Sequence, residues 1–399
     1  MTFDLLLTER QSTLADLEDV LEGDPLPFHR ALPGYRRTPL YDVPGLARSL
    51  GVARVLVKDE SERLGLPAFK MLGASWATAR AIQREWMPDS DDLTIDGLRR
   101  TLVGGSGRGL AAATDGNHGR GVARMAGLLG LECTIFVPAG TATARIRAIE
   151  SEGASVIVVE GTYDDAIERS AREARPDVLV ISDTSWPGYT ATPTDVIVGY
   201  STMFREIDEL LAERSEAQPD VVLLQSGVGS FAASGLRHYA DPSREHRPTT
   251  VIVEPTRADC LLRSARAGEL TEAPGPHEST MAGLNCGLPS LLAWPVVQSA
   301  TDAFLSIDDD WAHRAMRLFA QVGIVAGESG AASLGGLLAL HDQTDARRAI
   351  GLTPDATVLM INTEGATDPE NYELQVGETP GAGASEAPRR RQATSTATL

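Results

Sequence analysis

Lysine is almost missing from this chain: Lys58 and Lys70 are the only two among 36 lysine and arginine residues. Other scarcities exclude whole classes. The 3 cysteines, Cys133, Cys260 and Cys286, are too few for a disulfide framework. No C-x-x-C pair occurs, and the 7 histidines show no paired ligand spacing, so no metal site is expected. No apolar run reaches the roughly 18 residues of a membrane-spanning helix. Positive charge is in deficit, with a net charge of −19. Nucleic acid and anionic membranes are therefore not expected as partners, because both require basic patches. The opening stretch, MTFDLLLTERQSTLADLEDV, lacks the basic-then-apolar order of a secretory signal. A cytoplasmic location is expected.

What is present is a globular chain. Its 399 residues, 42% of them hydrophobic, suffice for two or three lobes with large cores. Short apolar runs alternate with amphipathic stretches. ARVLVKDE (53–60), GLAAAT, CTIFVP, ASVIVVEG, VLVISD (ending at Asp183), VVLLQ (221–225), TTVIVE (249–254) and ATVLMIN (356–362) read as strands. KMLGASWATARAIQREW (70–86), TATARIRAIESEG and YDDAIERSAREA read as helices. The polar, Gly-rich segment 87–109 reads as a loop or insertion, and 376–399 as a disordered tail. The β–α–β alternation predicts an α/β fold of open parallel sheets with helices on both faces. Ligands of such sheets sit beyond the carboxyl ends of strands.

Several turns there carry chemistry. In GLPAFKMLGAS (65–75), Lys70 stands among small and apolar residues. Arginine stays charged, whereas a desolvated lysine can lose its proton and act as nucleophile or base; the alternative is a snorkelling helix-start lysine. TDGNHGRGVA (114–123) leads from strand to helix and offers amides to an anion, with Thr114, Asp115, Gly116, Asn117 and His118 around them. Asp115 is either a helix cap or an acid facing a cationic group. In LLQSGVGSFAASG (223–235), Gly227, Val228, Gly229 and Ser230 can cradle a phosphate. Gly227, Gly229 and Ala232 also fit G-x-G-x-x-A with Glu254 as ribose acid, so an NAD-dependent oxidoreductase is an alternative. Asp183 and the run Asn362, Thr363 and Glu364 mark two further strand ends, the run meeting a ligand's polar edge or else capping the next segment.

Taken in order, these segments resemble the fold-type II pyridoxal-phosphate enzymes, the tryptophan synthase β family. DESERLGLPAFKMLGA, TDGNHGRGVA, DTSWPGYT, QSGVGS, VEPTRADC, MAGLNCG, GESGA and TEGATD are similar to the diaminopropionate ammonia-lyase branch, from roughly residue 37 to 375. The resemblance implies two lobes with pyridoxal 5'-phosphate between them: a small lobe of residues 75–195 and a large one of 1–74 and 196–375. Lys70 would join the cofactor's aldehyde, Asn117 would meet its phenolic oxygen, and Gly227, Val228, Gly229 and Ser230 would hold its phosphate. Asn362 or Thr363 would meet the pyridine nitrogen. Thr114, Asp115, Gly116, His118 and Asp183 would bind the amino-acid substrate, with Asp115 and Asp183 catalytic beside Lys70. Cys260 and Cys286 would approach each other near the site. The implied reaction is elimination of 2,3-diaminopropionate to pyruvate and ammonia, on one or both enantiomers, by a homodimer. A serine or threonine dehydratase is the nearest rival.

Overall fold

The computed structural model describes residues 1–8, 21–102, 107–114 and 116–380. Asp115 and the expected tail from residue 381 onward lie outside the described residues. The first residues of that expected tail do not start a coil, because the helix Pro369–Val376 runs into them and Gly377 caps it.

Eleven strands form two sheets among the described residues. They are β1 (Phe3–Leu7), β2 (Leu40–Asp42), β3 (Arg54–Asp59), β4 (Gly109–Ala113), β5 (Glu132–Pro138) and β6 (Ser155–Val159). The rest are β7 (Val178–Val180), β8 (Val221–Gln225), β9 (Thr249–Pro255), β10 (Ala303–Ile307) and β11 (Thr357–Asn362). The large sheet has the order β1-β10-β9-β8-β11-β3-β2, and the small one β6-β5-β4-β7. The small sheet is parallel throughout. The large sheet has a parallel centre, but both its edge strands, β1 and β2, run antiparallel. Neither edge was expected from sequence. β2 has only three residues, and β1 and β10 have no flanking pattern to set them apart from their neighbours.

Both faces of the large sheet are covered, and period-2 alternation sorts its side chains. Leu56, Leu224, Ile252, Leu359 and Ile361 join one core cluster; Val57, Leu223, Val253, Val358 and Met360 join the opposite one. The first cluster continues through the helices Met71–Trp86 and Ala191–Glu213 to Leu110, Ile135 and Val137 of the small sheet. The two helices pack closely because Gly73 leaves room for Tyr200: a Cβ at Gly73 would lie 2.5 Å from that ring. The expected lobe boundaries, after residues 74 and 195, fall inside these same two helices.

Two further differences have local causes. The segment 87–109 contains a helix, Ile95–Leu102, which buries Leu98. Its start is set by Thr94, whose hydroxyl accepts from the Gly97 N–H. β7 stops at Val180, so Asp183 lies three residues past the strand rather than at its end. Among the described residues no helix is long and apolar enough to cross a membrane.

Lys58 is explained by the fold. Lys58, Glu60, Arg63 and Glu206 are all fully buried. Glu206 accepts from Lys58 Nζ at 2.7 Å and from Arg63 Nη1 at 2.7 Å, while Arg63 also bonds Glu60 at 2.6 Å. Burial works to lower the Lys58 pKa, and the Glu206 and Glu60 charges oppose it. This cluster fastens the chain just after β3 to the helix Ala191–Glu213, and that chain leads directly to Lys70.

Candidate active site

The carboxyl ends of β3, β8 and β11 open on one side of the large sheet. The register aligns them by pairing Asn362 with Asp59 and Met360 with Leu223. The chain after β3 returns to this opening and is stitched to the end of β11. Phe69 N–H donates to Thr363 O at 3.1 Å, Gly365 N–H donates to Pro67 O at 2.9 Å, and Ala68 bridges Glu364. Lys70 follows as the first residue into the helix Met71–Trp86.

Lys70 Nζ donates to Asp183 Oδ2 at 2.7 Å, with 16% of the lysine side chain and 5% of the aspartate side chain exposed. The other carboxylate oxygen accepts from the Tyr163 hydroxyl at 2.9 Å. Burial pushes the Asp183 carboxyl up, but the Lys70 charge, His118 and the two hydrogen bonds outweigh it and hold the group well below the usual carboxylate range. The structure thus pairs an ammonium with a firmly ionised acid supplied by the loop after β7.

On the opposite side lies the turn from β8 into the helix Ser230–Tyr239. Gly229 adopts φ +102°, open only to glycine without strain, and no side chain caps this helix. The N–H groups of Gly227, Val228, Gly229 and Ser230 meet no acceptor among the described residues. Unpaired amides at a helix start suit a phosphate. The Ser230 hydroxyl is engaged elsewhere, donating to Asp183 O at 2.7 Å and so tying the acid to the phosphate turn.

Lys70, Asn117, Asp183, Gly227, Val228, Gly229, Ser230 and Thr363 all line one cavity. An amine, a polar strand end and an amide cradle around one enclosure fit an aldehyde cofactor with a phosphate arm. The family model of pyridoxal-phosphate dependent enzymes matches residues 31–364. The chain belongs to that family. It is 39% identical over 360 residues to the diaminopropionate ammonia-lyase of Escherichia coli strain K12, covering 88% of this chain and 90% of that one. The crystal structure of the holo diaminopropionate ammonia-lyase of Escherichia coli superposes with a TM-score of 0.85 at 35% identity, covering 94% of this chain and 96% of that one. The same enzyme in complex with an aminoacrylate-PLP azomethine reaction intermediate superposes at 0.83, also at 35% identity, covering 94% and 97% of the two chains.

Asn362 and Thr363, alternatives in the sequence, are placed differently. Asn362 is fully buried and turned away from the cavity, its Nδ2 donating to Asp59 Oδ1 and to Val325 O, both at 2.9 Å. Thr363 lines the cavity instead. Its Oγ1 accepts from Gln225 Nε2 at 2.9 Å, which leaves its own O–H to donate. Gln225 is held in turn by Ile361 O at 2.9 Å and by the Ser333 hydroxyl at 2.6 Å.

Other expected residues are not at the cavity wall. The Thr114 hydroxyl accepts from Gly116 N–H at 2.8 Å and Gly119 N–H at 3.0 Å, so it shapes the turn. His118 is buried, its Nε2 donating to Ile181 O at 2.8 Å, and burial lowers its pKa. Gly116 packs on the stem of Arg145. Cys286 lines the cavity, Cys260 is fully buried, and no disulfide joins the two.

Glu254 is no ribose ligand. It is fully buried and accepts from Leu261 N–H and Leu262 N–H, both at 2.8 Å, at the start of the helix Cys260–Ala267. With its acid committed to a helix start, the dinucleotide pattern of Gly227, Gly229 and Ala232 loses its ribose partner.

Among the polar residues of the cavity wall, Tyr163, Gln225, Asn285 and Ser329 were not assigned to the site from sequence, whereas Glu364 stood with Asn362 and Thr363 as a candidate for a ligand's polar edge. Tyr163 had a usable signal, since it opens a helix just past the carboxyl end of β6, behind the Thr162–Asp165 capping box.

Proposed function

We propose that this chain catalyses the pyridoxal-phosphate-dependent elimination of 2,3-diaminopropionate to pyruvate and ammonia. The observation that carries the reading is the Lys70–Asp183 pair facing the amide cradle of residues 227–230 in one cavity. Its likeness to the diaminopropionate ammonia-lyase of Escherichia coli supports the substrate. When bound, the cofactor supplies an electron-withdrawing ring that stabilises negative charge at the substrate's α-carbon.

The residues would divide the work as follows. Lys70 would hold the cofactor through its aldehyde carbon and, with its amine released, would take the substrate's α-proton. Gly227, Val228, Gly229 and Ser230 hold the phosphate by backbone N–H groups. Thr363 donates its hydroxyl to the pyridine nitrogen, which therefore stays unprotonated, and Asn117 meets the phenolic oxygen. Asp183 pairs with the substrate's β-ammonium, taking up a second cation where Lys70 now sits. Asp115, outside the described residues, is assigned to acid–base work by resemblance alone, with one or both enantiomers as substrates. Thr114, Gly116 and His118 support this substrate loop from behind. The released enamine takes up water and gives pyruvate and a second ammonia.

The division into a small lobe of 75–195 and a large lobe of 1–74 and 196–375 belongs to this proposal. It is supported by the placement of β4 to β7 in the first range and the other strands in the second. The family resemblance extends the reading to a cytoplasmic homodimer, which sedimentation equilibrium tests. The deciding experiment measures 2-oxo acid formed from D- and L-diaminopropionate, serine and threonine, with borohydride trapping and peptide mass mapping of the cofactor. Diaminopropionate is the preferred substrate and Lys70 the modified residue. Faster turnover of serine or threonine, or trapping elsewhere, overturns the assignment.

A further inference from the structure

Glu364 is a cavity residue that the roles above leave unused. It is 1% exposed, and its position is fixed from both directions along the chain. Its backbone bridges Ala68, two residues before Lys70, and it follows Thr363 directly. Its Oε2 accepts from Asn117 Nδ2 at 2.5 Å and from the Thr367 hydroxyl at 3.2 Å. Its Oε1 accepts from Ser329 N–H at 3.2 Å, in the first turn of the helix Glu328–Ala339. All three neighbours donate, so both carboxylate oxygens serve as acceptors. The helix start adds a favourable potential for that charge.

The consequence falls on Asn117. A primary amide has an accepting end and a donating end of nearly equal shape. Asn117 opens the helix Asn117–Leu129, where nothing else described fixes which end faces which way. A carboxylate does. With Oδ1 turned toward Glu364, two acceptors would confront each other in a buried site. With Nδ2 turned toward it, one N–H is bonded and the second remains for an anionic oxygen.

We propose that Glu364 is a positioning residue that orients the Asn117 amide, so that Asn117 presents a donor to the cofactor's phenolic oxygen. This rests on the reading of Asn117 given under Proposed function. It requires no contact between Glu364 and the cofactor.

The test is a double-mutant cycle on E364Q and N117A, read in two ways. One is affinity of the cofactor-free protein for pyridoxal 5'-phosphate by fluorescence titration. The other is the pH midpoint of the visible band of the loaded protein. E364Q keeps the shape but turns one of the two accepting oxygens into a donor, which confronts either the Asn117 amide or the Ser329 N–H. It weakens cofactor binding about tenfold, equivalent to about 1.4 kcal/mol, and moves the midpoint by about one unit. In the N117A background the same substitution changes affinity by less than about twofold, because its target is gone. E364D retains the charge with a shorter reach and gives a second route should E364Q fail to fold; its effect too disappears in N117A. An E364Q effect that survives undiminished in N117A overturns the proposal, as does no effect in the wild-type background. If N117A alone leaves cofactor binding unchanged, the role of Asn117 fails, and this proposal fails with it. That outcome is distinguishable from loss of coupling alone.

Discussion

Substituting Glu206 by glutamine tests whether the buried charge cluster behind Lys70 holds the fold together. Two cations, Lys58 and Arg63, face two carboxylates, Glu60 and Glu206, and all four are fully buried. Glu206 accepts from Lys58 at 2.7 Å, from Arg63 at 2.7 and 2.8 Å and from the Tyr35 hydroxyl at 2.9 Å. E206Q keeps the volume but leaves one positive charge uncompensated, at a cost of about 3–5 kcal/mol. Against a typical total of roughly 5–15 kcal/mol, the loss should show as a large drop in the urea midpoint. Adding K58M removes the stranded charge and should recover about half of the loss or more. The acid limb gives an independent check. Burial works to raise the Glu206 pKa, but Arg63 and Lys58 outweigh it and lower the group from 4.5 to about 2. Its contribution is therefore present above pH 4.5 and lost as the pH falls toward 2, so wild type should lose stability over that range more steeply than E206Q. An E206Q loss below about 1 kcal/mol, or a K58M effect that merely adds to it, refutes the reasoning.

D183N should leave the cofactor attached to Lys70, as shown by mass mapping, while turnover of diaminopropionate falls at least about 100-fold; a loss under tenfold would remove Asp183 from the chemistry. T363V should weaken cofactor binding and alter the visible band, whereas N362A should lower the melting temperature with the band unchanged; the reverse pattern would reassign the pyridine contact. Burial raises the Glu254 pKa from 4.5 to about 8 against the pull of two backbone N–H groups. The folded state thus holds a proton that the unfolded state releases, and stability should decline as pH rises from 4.5 toward 8. E254Q should flatten that slope in thermal melts taken across the range; an unchanged slope would assign it to other groups.

The site was legible in the sequence wherever backbone chemistry left a mark. A lysine in a chain of arginines, a glycine turn after an apolar strand and an asparagine at a helix start each have a local signature. Choosing between Asn362 and Thr363 was beyond the sequence, because β11 alternation alone does not say which face Val325 and Asp59 occupy. Gln225 and Ser329 were illegible for another reason. Their roles exist only through partners far along the chain: Gln225 donates to Ser329 O and Thr363 Oγ1, 104 and 138 residues away, and Ser329 meets Gly283 and Glu364, 46 and 35 residues away. Glu254 misled because a strand-end acid after a glycine turn looks the same whether it meets a ribose or a helix start. β1 and the edge strand β2 were missed because pairing with a neighbour, rather than periodicity, makes them strands.

The way the site is assembled bears on how it could work. Lys70 and Thr363 are stitched together through Phe69 and Thr363 backbone at 3.1 Å, so amine and strand end move as one piece of the large sheet. Asp183 comes from the loop after β7, and Tyr163 and Asn117 open helices that follow β6 and β4 of the small sheet. Side-chain links that join the two groups at the cavity include Lys70 to Asp183, Ser230 to Asp183 O, and Asn117 to Glu364. A substrate with its own ammonium can replace Lys70 at Asp183 without unsettling the Ser230 link, since that hydrogen bond uses the backbone oxygen and not the carboxylate. The acid therefore stays in register with the phosphate turn while its charge changes partners. A neutral hydroxyl in the same place would leave the Asp183 carboxylate buried without a counter-ion. Under the role proposed for Asp183, that cost, rather than any difference in size, would set a diamine apart from serine in this cavity.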